Sequence, residues 1–177
     1  MENGSSLRRA SRRPTTILTA LLLLPALGGC TGIIPGVMPH DLRYDAAKLE
    51  HDRCDPTPVD PRLYGPDIIQ KVEPYYRFVM GGPNGGESHL AGAQLELRPL
   101  AGVTEELLER GLECRSAQIM LGHAQALANE PYAFADSWVR IDVKSGHGAF
   151  VVSLAAEDSA RAREVLERAR AFAPPRP

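Results

Sequence analysis

The chain has 177 residues, enough for one folded domain with short appendages and too few for two comfortable domains. Hydrophobic residues make up 44% and charged residues 24%, values near the globular average that exclude a collagen-like or wholly disordered chain. The formal net charge is −2, and because residues 1–29 hold four arginines and one glutamate, residues 30–177 carry −5. A mildly acidic chain lacks the positive surface needed to neutralise phosphates, so we expect no nucleic-acid partner.

The first 29 residues have the layout of an export leader. Residues 1–13 carry four arginines, and residues 14–29 form an uncharged, mostly apolar run. At about 15 residues, this run is shorter than the roughly 20 residues of a permanent membrane helix, and Pro25 interrupts it. We expect export by the general secretory route, with the paired arginines favouring a twin-arginine route as the alternative.

The apolar run ends in Leu27-Gly28-Gly29-Cys30, a bulky aliphatic residue and two small residues before a cysteine. This pattern resembles the lipobox of bacterial lipoproteins, and the resemblance covers only the leader. It implies that Cys30 receives a thioether-linked diacylglycerol, that the leader is removed and that the new amine is acylated. Each buried CH₂ contributes about 0.8 kcal/mol, so several acyl chains would hold the protein stably in a lipid bilayer.

The residue after the cysteine is Thr31 rather than aspartate, which resembles the pattern sorted to the outer membrane. We therefore expect a periplasm-facing location at the outer membrane in preference to the inner membrane. The following stretch is rich in proline and has no sustained hydrophobic period, which predicts an irregular, extended tether over residues 30–66. The folded domain is predicted over residues 67–173, and residues 174–177 are a tail.

The first part of this domain predicts a strand, a loop, a second strand and a helix. Residues 75–80 favour a short strand, and residues 81–92 a flexible glycine-rich loop that lacks the lysine and hydroxyl of a phosphate-binding loop. Residues 93–98 alternate between apolar and polar, which indicates a half-buried strand. Thr104 is placed to cap a helix and Gly122 to end it.

A β-hairpin is predicted next, because residues 138–144 and 149–154 both alternate. Gly146-His147 would form a two-residue type II′ turn, which requires glycine at its first central position. That register pairs Val143 with Phe150, Ile141 with Val152 and Val139 with Leu154.

A last helix is predicted over residues 159–172, capped by Asp158 and carrying one apolar stripe. The elements then specify an α+β fold, a small antiparallel sheet of three or four strands with two helices on one face. Their order is strand, helix, strand, strand, helix, preceded by the strand at residues 75–80. If that strand pairs with residues 93–98, the arrangement resembles a circularly permuted ferredoxin-like sandwich, a likeness of fold alone.

Cys54 and Cys114 are the two cysteines besides Cys30, and the oxidising envelope favours a disulfide between them. Closing a loop of this size would contribute roughly 4 kcal/mol in the chain-entropy model. Two alternatives stay open at this point. Cys114 lies among apolar helix positions that suit a buried free thiol, and either sulfur could bind a metal ion.

The sharper metal hypothesis involves Met80, His89, Met120 and His123, because sulfur and imidazole ligands together suit copper. Met120 and His123 stand at i, i+3, and Met80 and His89 flank the glycine-rich loop. No two of the four form a recognised ligand motif, and a core methionine with surface histidines explains the same residues. We therefore assign no metal ligand and no cofactor.

Catalytic motifs such as G-x-S-x-G, S-x-x-K and H-E-x-x-H do not occur, so we expect no enzymatic activity. Trp138 shares strand parity with Arg140 and would lie on the polar face of the sheet, where an aromatic among charges indicates an interaction surface. The alternative places Trp138 beneath a loop containing Tyr132 and Phe134.

These features together predict a membrane-anchored envelope lipoprotein that binds an envelope protein partner or serves as an accessory subunit. A periplasm-facing copper-binding protein is the alternative function.

Overall fold

The computed structural model describes residues 41–80, 85–146 and 148–175, and it has the predicted α+β architecture. The helices are α1 (Leu42–Arg53), α2 (Glu105–Leu121) and α3 (Ser159–Phe172), and the strands are β1 (Ile69–Met80), β2 (Gly86–Leu97), β3 (Arg140–Gly146) and β4 (Ala149–Ala155). Two 3-10 turns, Pro61–Leu63 and Pro66–Ile68, precede β1. The leader and Cys30 lie outside the described residues. None of the described helices has the length and apolar character that a bilayer crossing needs.

The four strands form one antiparallel sheet in the order β1-β2-β4-β3. Leu95 of β2 and Val152 of β4 belong to the same buried core as Leu112 of α2 and Val165 of α3. The prediction of an antiparallel sheet with two helices on one face is therefore confirmed. β1 pairs with β2, but residues 75–80 lie opposite residues 86–92 and not opposite residues 93–98, the pairing on which the ferredoxin-like resemblance was conditional.

The two helices that cover the sheet begin and end where the sequence predicts. The hydroxyl of Thr104 accepts a hydrogen bond from the N–H of Leu107 (3.3 Å) at the start of α2. Gly122 ends α2 at φ +80°, a conformation that glycine adopts without strain. The carboxylate of Asp158 accepts two backbone N–H groups at the start of α3. Local capping chemistry thus determines both helices.

The β1–β2 hairpin is longer than expected. β1 begins at Ile69 instead of residue 75, and β2 begins at Gly86, within the predicted glycine-rich loop. Residues 75–80 accordingly pair with residues 86–92, and residues 93–97 pair with the first half of β1. The prediction of a loop over residues 86–92 is wrong because glycines there occur inside a strand.

The β3–β4 hairpin forms, but its register differs from the predicted one by two residues. Val143 lies opposite Val152, and Gly146 lies opposite Ala149, so Gly146 belongs to the strand instead of the turn. His147 lies outside the described residues, and the glycine after it has φ +77°. Because side chains alternate with period two, a shift of two residues keeps the apolar side chains on the core face. Alternation therefore identifies the buried face without identifying the turn.

Residues 42–53 form α1, so the predicted extended tether over residues 30–66 is wrong for this stretch. The carboxylate of Asp41 caps the helix by accepting the N–H of Arg43 (3.0 Å). Ala46 is the only fully buried residue of α1, which therefore lacks the apolar stripe that marks a packed helix in a sequence. The folded part of the chain already includes Asp41, well before the predicted start at residue 67.

A disulfide and an ion pair hold α1 against α2. Cys54 and Cys114 are bonded, with Cα atoms 5.7 Å apart, so neither is a free thiol in this structure. The sulfurs join positions 60 residues apart, and a loop of that length contributes about 4 kcal/mol in the chain-entropy model. Nη1 of Arg53 lies 2.9 Å from Oε2 of Glu113. A small apolar cluster fills the space between the helices: Ala46, Leu42 and Leu49 with Ala117, Met120 and Leu121.

Residues 122–139 connect α2 to β3 without a helix or strand, and a buried ion pair fixes their course. Arg115 of α2 donates two hydrogen bonds to the carboxylate of Glu130 (3.0 and 3.1 Å). It also donates to the carbonyl of Gln125, and the N–H of Leu127 donates to the Glu130 carboxylate (2.8 Å). Glu130 is 1% exposed and Arg115 is 7% exposed, so the pair is shielded from water.

The position of Glu130 allows the rest of the connection to reach the core. Tyr132 and Phe134 are both buried there, and the ring of Tyr132 meets that of Phe172 edge to face at 6.1 Å. The guanidinium of Arg115 also lies 4.4 Å from the ring centroid of Tyr64, which precedes β1. The ion pair thereby links α2, the long connection and the segment before β1.

Removing one partner of this ion pair leaves a buried charge without its counter-charge. We predict that Glu130→Gln and Arg115→Met each lower the free energy of unfolding by about 3–5 kcal/mol, measured by guanidinium denaturation of the full chain. The double variant R115M/E130L buries no charge and should recover much of the loss, while Glu167→Gln on the exposed side of α3 serves as a control without effect. Single variants as stable as the wild type would contradict the assigned role.

Candidate binding surface on the open face of the sheet

The sheet has one face covered by α2 and α3 and one open face. Ile141 and Val143 of β3 point into the core, so Arg140, Asp142 and Lys144 point to the open face. The other strands present Tyr75 and Arg77 of β1, Gly92 and Gln94 of β2, and Ser153 and Ala155 of β4 on that face.

A depression crosses the open face, and we call it the trough. It is lined by Tyr75, Arg77, Trp138, Arg140, Ser153 and Ala155, and its two adjoining parts have volumes of about 310 and 250 Å³. Along one row of the sheet, Tyr75 pairs with Gly92, Gly92 with Ala155, and Ala155 with Arg140. The two central residues are small and the two outer ones large. The trough therefore follows from side-chain size along this row.

Gly92, at the floor of the trough, has no room for a side chain. Its φ is +153°, and a Cβ there would overlap the carbonyl oxygen of Leu154 on β4. The β1–β2 register also shifts at this point, since Tyr75 pairs with Gly92 and Tyr76 pairs with Leu90. The additional residue on β2 makes a β-bulge, a feature that bends a strand and redirects side chains.

Two arginines face the trough without an ion pair to any described residue. Arg77 on β1 and Arg140 on β3 line the same depression from opposite edges of the sheet. Asp142, beside them, already has Nζ of Lys144 at 3.5 Å from its carboxylate. Glu157 also lines the depression and has no ion pair within the described part of the chain. The trough thus presents two available guanidinium groups and one available carboxylate.

Trp138 lies just before β3 and is half-buried. One part of it packs against the apolar cluster between α1 and α2, and another part lines the trough beside Arg140. The alternative cover by Tyr132 and Phe134 is wrong, because those rings belong to the main core. The structure therefore brings the two predicted surface residues together, with Trp138 held in place by a helix that the sequence did not reveal.

No known relative identifies the site. Comparisons with protein families, curated proteins and solved structures find no match. The candidate surface consequently rests on its geometry and charge. Arg77 and Tyr75 were missed in the sequence because residues 75–80 predicted only a strand, and alternation alone could have placed both on the face of Arg140 once the pairing of the strands was known.

The residues considered as copper ligands lie in different surroundings. Met120 is 2% exposed in the cluster between α1 and α2, and Nδ1 of His123 lies 3.0 Å from Oε2 of Glu50. Met80 is 82% exposed at the end of β1, and His89 lies on the exposed part of β2. Among the described residues, no group of three or more His, Cys, Asp or Glu side chains is placed to hold a metal ion.

A second depression, of about 320 Å³, lies beside the disulfide and differs from the trough in its charges. It contains three arginines, of which Arg53 is bound to Glu113 and Arg62 to Asp60 (2.6 Å). Only Arg110 has no such partner among the described residues. The trough is therefore the stronger candidate for binding a charged ligand.

The groups around the trough suit recognition of carboxylates. A guanidinium presents a planar fork of N–H donors that matches a carboxylate in a bidentate arrangement. The indole of Trp138 and the phenol ring of Tyr75 supply apolar contact area beside these donors. The trough can thus hold an acidic chain by charge and by contact with aromatic rings.

The contact between Gly92 and Leu154 yields a stability prediction. Gly92→Ala should lower the free energy of unfolding by roughly 1–3 kcal/mol, because the residue has a positive φ and its new methyl group meets a backbone carbonyl. Gly146→Ala is the matched control, since a Cβ on this strand residue meets nothing within 4 Å. Equal denaturation midpoints for the two variants would show that the approach of β4 does not require glycine.

Proposed function

We propose that the chain is a non-enzymatic lipoprotein of the bacterial envelope, anchored through acyl groups on Cys30, whose trough binds an acidic segment of another envelope protein. The observation that carries the binding role is the pair of guanidinium groups of Arg77 and Arg140 over a floor of small residues. The anchor is supported by the lipobox-like sequence that ends at Cys30.

The dimensions of the trough suit an extended peptide. β1 and β3 are three strand spacings apart, about 14 Å at the level of the backbone. Arg77 and Arg140 stand on these two edge strands and both line the trough. An extended segment covers about 14 Å in roughly four residues, so a segment with acidic residues spaced within that length would reach both arginines.

The available energy favours a selective interaction of moderate strength. A hydrogen bond to a charged group contributes about 1.5–3 kcal/mol, and each arginine can donate two to one carboxylate. Tryptophan, tyrosine and arginine are also the residues that contribute most at protein interfaces. Trp138, Tyr75 and the two arginines place all three types around one depression.

The anchor and the surface are separated by less chain than the sequence predicted. Because the folded part already includes Asp41, residues 31–40 are the segment that would join the lipid to it, in place of a tether reaching residue 66. The lipid-anchor hypothesis therefore leaves ten residues of sequence between Cys30 and the described part of the chain.

Binding at the trough can be measured with Trp138, the only tryptophan of the chain. We predict that a hexaglutamate peptide changes the Trp138 fluorescence of the full chain in detergent, and that R77Q/R140Q weakens this binding at least about tenfold, since each lost charged hydrogen bond costs about 1.5–3 kcal/mol. Arg163→Gln on α3 is the control and should bind normally. The acid-binding trough would be refuted if the wild-type chain bound hexaglutamine as tightly as hexaglutamate, or if R77Q/R140Q bound hexaglutamate as tightly as the wild-type chain does.

Lipidation is tested separately from binding. Cells that produce the wild-type chain should incorporate labelled palmitate into it, and Cys30→Ser should abolish the label and leave the leader attached. C54S/C114S is the matched control and should keep the label. If the Cys30→Ser variant still incorporated labelled palmitate, the anchor at Cys30 would be refuted. The binding role of the trough would not be affected, because the peptide-binding experiment tests it separately.

A further inference from the structure

β1 and β2 extend beyond the rest of the sheet. β4 pairs with β2 only from Gly92 to Leu97, so the remainder of β2 pairs with β1 alone. We call this two-stranded extension the ribbon, and it consists of residues 76–80 and 86–91. A two-stranded hairpin by itself is at best marginally stable in water. The ribbon is therefore a part of the molecule that would gain from additional pairing.

One face of the ribbon is apolar and exposed. Val72 and Leu90 pack against the core, and alternation places Tyr76, Phe78 and Met80 on that same face. Tyr76 is 56% exposed, Phe78 61% and Met80 82%. Neighbouring large apolar side chains with this exposure are typical of a surface that contacts a partner.

The edge of β2 within the ribbon is open to a further strand. The N–H of Ala156 donates to the carbonyl of Ala91 (2.8 Å), which makes Gly92 and Ala155 a non-hydrogen-bonded pair and turns the backbone groups of Gly92 towards β1. Because β1 continues regularly beyond Tyr75, His89 and Glu87 bond to β1, and the backbone groups of Ser88 and Leu90 point outwards, past the end of β4. Ser88 and both of its neighbours in sequence are exposed. An open edge of this kind is a template for strand pairing.

We propose that two copies of this chain pair through this edge, β2 against β2, in antiparallel orientation about a two-fold axis at Ser88. In this register Ser88 faces Ser88 of the second copy, Glu87 faces His89, and Gly86 faces Leu90. Because the two copies are related by a two-fold axis, the contact between the Glu87 carboxylate of one copy and the His89 imidazole of the other occurs twice in the interface. The outward backbone groups of Ser88 then bond to those of its symmetry mate, and those of Gly86 and Leu90 bond to each other across the interface.

The charges select this register over its neighbours. An axis at Glu87 would place two carboxylates directly opposite each other, which destabilises an antiparallel pair. An axis at His89 would oppose two imidazoles and leave each Glu87 carboxylate only its contact with His89 of its own chain, whose Nε2 lies 3.6 Å away. With the axis at Ser88, the two ribbons form one four-stranded sheet, and their apolar faces lie on the same side of it. A sheet of more than two strands with an apolar face is stable in water, whereas a single hairpin is marginal. This inference goes beyond the proposed function and depends on neither the lipid nor the trough.

The central pair provides a direct test in the full chain. Ser88 and its symmetry mate form a hydrogen-bonded pair, whose Cα atoms lie about 5.5 Å apart, within reach of a disulfide. We expect Ser88→Cys to give a covalent dimer on oxidation of the purified full chain, seen on a non-reducing gel. Glu167→Cys, on the exposed side of α3, is the control and should remain monomeric. Cross-linking of S88C no greater than that of E167C would overturn the proposal.

Charge reversal tests the register. Added to S88C, Glu87→Lys removes the carboxylate that faces His89 and His89→Glu opposes two carboxylates, so each should lower the cross-linked fraction about tenfold. When both variants are produced together, the ammonium group introduced by E87K in one copy faces the carboxylate introduced by H89E in the other, and the unchanged His89 faces the unchanged Glu87. Cross-linking should then return in mixed dimers, which also shows that both variants are folded. Failure of the mixture to restore the dimer would reject this register and the two-copy assembly built on it.

Discussion

The approach of β4 to Gly92 is the constraint on which the shape of the sheet depends. With the carbonyl of Leu154 occupying the space of a side chain, only glycine permits β2 to continue past this point. Gly92 is also the last β2 residue paired with β4, the site of the register shift against β1 and the floor of the trough. The same residue therefore marks the end of the four-stranded sheet and the start of the ribbon. Both surfaces that suggest interactions originate from one position where a side chain is excluded.

Helix α1 and residues 122–139 are held in place by a disulfide and a buried ion pair more than by apolar stripes. Helix α1 contributes one fully buried residue, and the disulfide from Cys54 to Cys114 fixes its end against α2. Residues 122–139 depend on Glu130, whose carboxylate is bound by Arg115 and by a backbone N–H. A buried ion pair contributes little net stability compared with apolar packing, but it permits only one arrangement of its neighbours. It therefore defines the course of the connection that delivers Trp138 to the trough.

This division explains what could be predicted from the sequence. Helices α2 and α3 were found because each combines a cap with an apolar stripe, and β3 and β4 because their side chains alternate. α1 was missed because it is stabilised by contacts distant in sequence, which leave no local period. The loop reading of residues 86–92 failed because glycine has two uses, in flexible loops and where backbones approach closely. Of the candidate surface, alternation supplied Arg140, whereas Arg77 required the pairing of β1 with β2.

The two proposed interfaces have a geometric relation that bears on affinity. A two-fold axis perpendicular to the paired ribbons places the open faces of both sheets on the same side, so a dimer would present two troughs in one direction. Single acidic segments would bind such a dimer no more tightly than a monomer. A partner with two acidic segments, or a partner that is itself dimeric, would gain effective concentration from the second contact, with a combined affinity roughly 10²–10⁴-fold above either site alone in favourable cases. Dimerisation through the ribbon would then make the protein selective for partners with two acidic segments, although the ribbon itself would not contact those partners.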